Sequence, residues 1–408
     1  MAGRKTLFLV SLGMAVLLGA LFYFWGAANV WLLWCVPVKP PGFADLRDVL
    51  GGIQLARAGA QNTADTFGLV GGYPGIWALL GWLGLGVRDT VWAAIALFCA
   101  YAASLYVFAR RYSSLTAVVM AAIIFSPAAM LGYERANLDL AMFAILSVAL
   151  WLAATSSVLP VGLIVLAAML KIYPILGLGY LLKQPRGRFL LWAGIGLGVF
   201  IIYTLAVGAR AMQGMAYIPK GDDFDYGAGV IAFHVLLSGV SRLQSNLVIL
   251  FSFLVLYLIV VAALFLSYRL ARHARLVLYE SPYMDAFRLG AIIYVGTFIQ
   301  GNSFNYRLIF LVFCIPQMVI WTRRQSPVYW EARGTLVAVL ASCWAAILLR
   351  ILPEGPAFMM DEFANWILFS GLLYLLIVSL PDWLFIEIER FFKRYERAPR
   401  SLTPSPEP

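Results

Sequence analysis

The chain is a succession of apolar runs separated by short polar joints. These runs cover Thr6 to about Val36 and then 89–109, 115–132, 138–155, 158–182, 189–208, 246–267, 287–300, 306–321, 335–352 and 364–381. A helix crosses the hydrocarbon core of a bilayer with about 20 apolar residues, and most of the runs approach or exceed that length. The run 158–182 is interrupted by Lys171-Ile-Tyr-Pro174 and is predicted to be a bent hairpin of two short helices that meet there. With that hairpin the chain makes about twelve crossings and both termini lie on the cytoplasmic side. The first run is about twice as long as the apolar core of a secretory signal, so it is predicted to be a retained span.

Two stretches outside the runs are long, 37–88 and 209–245. In the first, Asp45 to Ala58 places apolar residues at 46, 49, 50, 53 and 56. That is helical spacing, and it predicts a short helix lying on the membrane surface. Gly75 to Gly86 is apolar but too short to span, so it reads as a second interfacial segment, with Trp77 and Trp82 suited to headgroup depth. The Pro/Ser-rich tail 398–408 is predicted to be disordered, which leaves 1–397 as a single transmembrane domain.

Composition sharpens the class. Hydrophobic residues make up 62% of the chain and charged residues 12%, against roughly 25% charged in a soluble domain. A soluble enzyme, a soluble nucleotide-binding fold and a disulfide scaffold are thereby excluded, and an all-α polytopic membrane protein remains. Net charge is 30 − 20 = +10. In a soluble protein that surplus would raise nucleic acid as a partner; here it marks cytoplasmic joints. Arg110 and Arg111, Lys183 to Arg188, Arg269 to Arg275, Arg323 and Arg324, and Arg390 to Arg400 all fall on that side when 158–182 is a hairpin. Without the hairpin, Lys183 to Arg188 would face the wrong way.

The usual signatures of soluble chemistry are missing from the sequence. The four cysteines are scattered without a C-x-x-C, and the two histidines, His234 and His273, are far apart, so neither a zinc site nor a disulfide framework is indicated. There is no phosphate loop, dinucleotide fingerprint or nucleophile elbow. No cofactor is expected. Asp223 and Asp225 form a D-x-D that reads either as a solvated acidic turn or as a divalent-cation site beside a phosphate.

Charge beside apolar runs is costly and asks for a reason. Four polar clusters fall on the extracytoplasmic side: Phe43-Ala-Asp-Leu-Arg-Asp48 followed by Gly72-Tyr-Pro-Gly-Ile-Trp77, Gly132-Tyr-Glu-Arg-Ala-Asn-Leu-Asp139, Lys171-Ile-Tyr-Pro174, and Gly301-Asn-Ser-Phe-Asn-Tyr-Arg307. Each also has an ordinary reading. Asp45 and Asp48 read equally as loop acids, Asp45 capping the surface helix. Arg135 with Glu134 or Asp139 reads as a structural ion pair at a tight turn. Lys171 reads as a snorkelling lysine, and Asn302, Asn305 and Arg307 as helix-capping and lipid-binding groups. Their shared side is the stronger argument.

These clusters resemble, in order, the pattern of the GT-C superfamily of integral-membrane glycosyltransferases, particularly glycosyltransferase family 87. Over 45–308 the chain reads Asp45-Leu-Arg47, Tyr73-Pro-Gly-Ile-Trp77, Glu134-Arg-Ala-Asn-Leu-Asp-Leu-Ala-Met-Phe-Ala-Ile145, Leu170-Lys-Ile-Tyr-Pro174 and Asn305-Tyr-Arg-Leu308. It departs at Gly72, where Asn often stands, and at Ala136, commonly Gly. The resemblance implies a GT-C-like bundle of about twelve spans with interfacial helices in its first extracytoplasmic loop. It also implies inverting transfer of a sugar from a polyprenyl phosphate to a glycan or lipid acceptor, with an acid of that loop activating the acceptor.

In that scheme Asp45 is the expected general base, with Asp48 as orienter and Glu134 or Asp139 in reserve. Lys171 and Arg307, then Arg135, would stabilise the departing phosphate, with Tyr173 and Asn305 donating hydrogen bonds. Arg47, Tyr73, Asn137 and Asn302 complete the expected substrate contacts. Membrane lipids would be partners, no metal is indicated, and the expected location is a bacterial inner membrane with the site facing the periplasm. Two rival classes have distinct expectations. A transporter keeps its polar site near the bilayer midplane, and a polysaccharide polymerase or ligase takes an oligosaccharide on a diphosphate lipid.

Overall fold

A computed structural model describes residues 2–57, 75–109, 112–215, 225–238, 241–273 and 282–396. Tyr73, Asp223 and the tail 398–408 lie outside them. The chain is built almost wholly from helices. In order these are α1 (Ala2–Trp25), α2 (Ala27–Leu33), α3 (Ala44–Arg57), 3₁₀ segments at Gly75–Leu83 and Val87–Asp89, α4 (Thr90–Phe108), α5 (Ser114–Ile124), α6 (Pro127–Arg135), α7 (Asp139–Leu152) and α8 (Val158–Leu170). A 3₁₀ segment over Tyr173–Lys183 follows, then α9 (Arg186–Met215), β1 (Asp225–Tyr226), α10 (Val230–Leu237), α11 (Arg242–His273) and α12 (Pro282–Ile299). The last part holds β2 (Ser303–Phe304), a 3₁₀ segment over Asn305–Phe313, α13 (Ile315–Trp321), α14 (Tyr329–Trp344), a 3₁₀ turn at Ala345–Arg350, α15 (Glu354–Val378) and α16 (Asp382–Glu396).

Six described helices are long and apolar enough to cross a membrane: Lys5–Trp25, Val87–Phe108, Arg186–Ala206, Leu243–Leu270, Tyr329–Arg350 and Glu354–Val378. The first four of them leave most of their apolar side chains on the outside of the bundle, as hydrocarbon-facing helices do. The protein is an all-α integral membrane protein. Where the apolar runs suggested about twelve crossings, the described helices supply six, or seven if the bent pair α5–α6 counts as one.

The difference lies in the shorter runs, and each break has a local cause. The run 115–132 bends by 56° between α5 and α6. Pro127 at the first position of α6 lacks the N–H that would continue α5. Ser126 caps the new helix, its Oγ accepting from Ala129 N at 3.3 Å. The first run breaks at Gly26, whose φ of 78° is a glycine conformation. The expected hairpin at 158–182 does break at Lys171, between α8 and the Tyr173–Lys183 segment; at ordinary rises each arm is only about 20 Å long. The run 364–381 begins ten residues sooner than its apolar stretch suggested, because α15 starts at Glu354 and draws Asp361 and Glu362 into a span.

The run 306–321 is not a lipid-facing span at all. Leu308 to Phe313 are essentially unexposed and form the centre of the bundle. Phe313 stacks on Phe143 of α7 at 4.4 Å, and Phe310 meets the Tyr173 ring edge-on at 5.6 Å. The two segments expected at 45–58 and 75–86 are helical, as α3 and the 3₁₀ segment Gly75–Leu83. Leu46, Val49, Leu50 and Ile53 are all buried along one face of α3, and Trp77 buries its ring and donates from Nε1 to the carbonyl of Leu170 at 2.9 Å. Trp82 remains exposed. A feature not anticipated is the amphipathic α16, which packs against the start of α9 through Arg186–Glu387 at 2.7 Å and the Phe189–Trp383 ring pair.

Candidate functional site

The site is assembled by four chain stretches that are far apart in sequence. Its pivot is the turn between α6 and α7. Ala136 ends α6 with φ 45°, ψ 49°, a left-handed conformation, and the turn is closed by Asn137 N donating to Gly132 O at 2.9 Å. Left-handed backbone costs an L-residue roughly 1–2 kcal/mol, which gives a physical reason for glycine at this position in the resembled pattern. Ala136→Gly is therefore expected to stabilise the protein by about 0.5–1 kcal/mol, less than the full strain because glycine also frees the unfolded chain. A small upward shift in melting temperature checks it; a fall would show that the turn is not strained.

Asn137 then acts as a hub. Its Oδ1 accepts from Asp139 N at 2.8 Å and from Lys171 Nζ at 2.9 Å, while its Nδ2 donates to Asp45 Oδ2. Asp139 is 1% exposed and gathers two donors and a second cation. Lys171 forms an ion pair with its Oδ1, the Tyr173 hydroxyl donates to the same oxygen at 2.7 Å, and Arg307 Nε stands 3.6 Å from Oδ2. Arg307 also donates to Ser303 Oγ at 2.9 Å and lies over the Tyr173 ring at 4.8 Å; Lys171 lies over the Tyr306 ring at 5.5 Å. Two cations thus share the carboxylate of Asp139, and the charge of Asp45 also acts on Lys171 across Asn137.

Arg307 is brought there by a tight crossing. β1 pairs antiparallel with β2 in the register Tyr226↔Ser303. Gly227, at φ 137°, passes so close to Gly301 that a Cβ would lie 2.7 Å from its carbonyl oxygen, so this approach needs glycine.

Asp45 sits in the first turn of α3. Desolvation by the surrounding protein raises its carboxyl above the ordinary value of 3.8; the hydrogen bond from Asn137 and the charges of Lys171 and Arg135 pull it back without cancelling the rise. Asp48, one turn on and exposed, is raised as well, by desolvation and then by the Asp45 charge.

Glu134 staples the segment that carries Asp45. Its Oε1 accepts from Lys39 N at 2.9 Å, its backbone carbonyl from Phe43 N at 3.0 Å, and Oε2 pairs with Arg135 Nε at 3.1 Å. The ion pair expected at this turn is thus Glu134–Arg135, not Arg135–Asp139.

The structure brings Asp45, Asn137, Asp139, Lys171, Tyr173 and Arg307 into one hydrogen-bonded and ionic chain. It separates others from it. Asn305 faces away from the two cations and donates to Asp361 Oδ2 on α15 at 3.5 Å. Asn302 makes no described contact with the cluster and has a buried Nδ2. Arg135 is occupied by Glu134 and by Pro37 O at 3.5 Å. Asp48 stands exposed beside the cluster, and the charges of Asp45 and Arg47 both act on it. Asp139, wrapped by donors, is a counter-ion and not an accessible base.

Sequence reading missed Ser303 and Tyr306, which support the cations, and the acids Asp361 and Glu362. Asp361 Oδ1 accepts from Asn365 Nδ2 at 2.8 Å, and both carboxylate oxygens of Glu362 are buried without a hydrogen bond. Two adjacent acids inside an apolar helix were the available signal. Among the described residues no group of three His, Cys, Asp or Glu side chains is placed to hold a metal ion. No known family model matches the chain, and no curated protein or solved structure is matched by it.

Proposed function

We propose that the protein is an inverting glycosyltransferase that moves a sugar from a polyprenyl phosphate to an acceptor on the extracytoplasmic face. The observation that carries this reading is the juxtaposition of a half-buried carboxylate, Asp45, with two cations, Lys171 and Arg307, that share the carboxylate of Asp139. Two cations gathered at one joint suit an anionic ligand, to which they give charge-assisted hydrogen bonds. A phosphodiester-linked sugar carries one negative charge, and the departing polyprenyl phosphate carries more. Cations fixed in advance therefore favour the departing state over the bound donor.

In this reaction the acceptor oxygen attacks the anomeric carbon as the bond from that carbon to the phosphate oxygen breaks. The electron pair leaves with the polyprenyl phosphate, and the hydroxyl proton passes to Asp45. Asn137 orients Asp45 and ties it to Lys171, so base and cation are held by one side chain. Asp139 holds both cations in place. The short segments α7, α8, Tyr173–Lys183, α12 and Asn305–Trp321 are the ones that would raise the six long spans toward the twelve of a GT-C-like bundle. The basic joints favour cytoplasmic termini and a periplasmic site in a bacterial inner membrane.

The test is to incubate the purified chain with polyprenyl-phosphate sugars and, in parallel, with diphosphate-linked oligosaccharides, and to follow donor loss by mass spectrometry. Consumption of a monophosphate donor is expected. Consumption of only the diphosphate oligosaccharide would move the protein to the polymerases and ligases.

A pH prediction follows from Asp45. Activity needs its carboxylate, so turnover falls on the acid side as Asp45 protonates, and this limb should lie above the ordinary carboxylate range because burial raises the group. Asn137→Ala removes a hydrogen bond that favours the ionised form, so the limb should move to still higher pH. A kcat/KM profile whose acid limb stays fixed in this variant would detach Asp45 from the titration.

A further inference from the structure

A largely apolar groove of about 810 Å³ lies between α11, α14 and α15. It follows α11 from Ile259 to Leu270, about 16 Å at the helical rise, close to the roughly 15 Å of hydrocarbon in one leaflet. Gly334 of α14 helps to keep it open, since a Cβ there would meet nothing within 4 Å. The hydroxyls of Thr335 and Ser370 turn back to their own helices, donating to Glu331 O at 2.7 Å and Trp366 O at 2.8 Å. A hydrocarbon chain laid along these walls therefore strands no polar group. The remaining polar groups collect at one end: Arg269 and Tyr374 where α11 and α15 leave the groove, and Glu331 in the first turn of α14. Arg269 and Glu331 are the only charged residues among the described ones that line it. Neither belongs to an ion pair among the described residues. Arg269 lies over the Phe265 ring at 4.8 Å, and Glu331 accepts a hydrogen bond only at its backbone carbonyl.

We propose that this groove binds a zwitterionic membrane phospholipid with a primary ammonium headgroup, of the phosphatidylethanolamine type. An acyl chain lies along the walls, the phosphate meets Arg269 and the Tyr374 hydroxyl, and the ammonium meets Glu331. The site is separate from the candidate transfer site, because Tyr374 lies roughly 20 Å along α15 from Asp361, and the inference does not rest on the transferase reading. Charge selects the headgroup. One cation and one anion at the mouth match a headgroup that carries one of each. An anionic headgroup satisfies Arg269 but brings a second negative charge beside Glu331. A choline headgroup is positive but has no N–H for the carboxylate, whereas a primary ammonium donates charge-assisted hydrogen bonds.

The test is native mass spectrometry of the full chain in detergent with equimolar palmitoyl-oleoyl phosphatidylethanolamine, phosphatidylcholine and phosphatidylglycerol. The ethanolamine lipid is expected to be retained about tenfold over each of the others, the scale of a hydrogen bond to a charged group. Glu331→Gln should remove the preference for ethanolamine over choline and raise retention of the glycerol lipid. Arg269→Gln should lower retention of all three by about tenfold. Gly334→Trp and Ala262→Trp fill the groove from α14 and from α11 at exposed positions, and each should abolish retention while circular dichroism shows the helices intact.

Equal retention of the three lipids by the unaltered chain, or a preference for phosphatidylglycerol, would overturn the proposal without any substitution. An ethanolamine preference that survives Glu331→Gln and both tryptophan variants would place that lipid elsewhere and overturn it too. A dimer that the tryptophan variants dissociate would give the groove to a second copy of the chain instead. The readout is retained lipid, so it stands apart from whether any polyprenyl-phosphate sugar is consumed.

Discussion

Asp45→Asn is expected to lower transfer by about 100- to 10,000-fold, the range over which a positioned general base acts, while donor binding and folding persist. The amide keeps an oxygen for the hydrogen bond from Asn137 Nδ2, so the geometry of the hub is retained. The effect on stability has a definite sign. The folded state raises the Asp45 carboxyl above its ordinary value, so at neutral pH the ionised group opposes folding. Replacing it by a neutral amide should leave the melting temperature at pH 7 equal to that of the parent or slightly above it. Turnover and melting measured on the same preparation check both parts. Near-normal turnover would remove Asp45 from the role of base.

Lys171→Met is the second large effect, and it separates donor binding from stability. Loss of one preorganised cation at a developing charge costs about 100- to 1,000-fold in turnover and should weaken binding of the polyprenyl-phosphate donor as well. Methionine nearly matches the lysine stem in volume. Asp139 keeps Tyr173 at 2.7 Å and Arg307 at 3.6 Å, so the buried carboxylate is not stranded. Asp139→Asn does the reverse, leaving two cations without their counter-ion, and should destabilise by about 3–5 kcal/mol, as expected for a broken buried pair. Donor titration into nanodisc-held protein, set beside thermal melting, distinguishes the two variants. A donor affinity unchanged in Lys171→Met would move the phosphate elsewhere.

Much of the candidate site was visible before any coordinates. Asp45, Asn137, Asp139, Lys171, Tyr173 and Arg307 stood out because ionisable and amide groups beside apolar runs are expensive and fell on one expected side of the membrane. What the pattern did not give was the connectivity. Glu134 is a structural anchor and Asp139 a counter-ion, although both read as reserve bases. Asn305 turns to α15, although it stands two residues from Arg307. Spacing says which residues share a joint, but not which way each side chain faces when the joint is itself a 3₁₀ turn or a bulged crossing.

The fold divides in the same way. Composition and run length alone determined an all-α membrane protein, and the period of Leu46, Val49, Leu50 and Ile53 determined the helix α3 and its buried face, because burial of one helix face is a local, periodic demand. Tertiary structure decided which apolar runs meet lipid and which meet protein. Hydropathy is identical in both surroundings, so nothing in 306–321 distinguishes a lipid-facing span from the central segment that carries Arg307. It likewise decided that Lys171 and Arg307, 136 residues apart in sequence (307 − 171), share the carboxylate of Asp139. Pairing of that kind depends on the packing of distant helices, and no single stretch of chain encodes it.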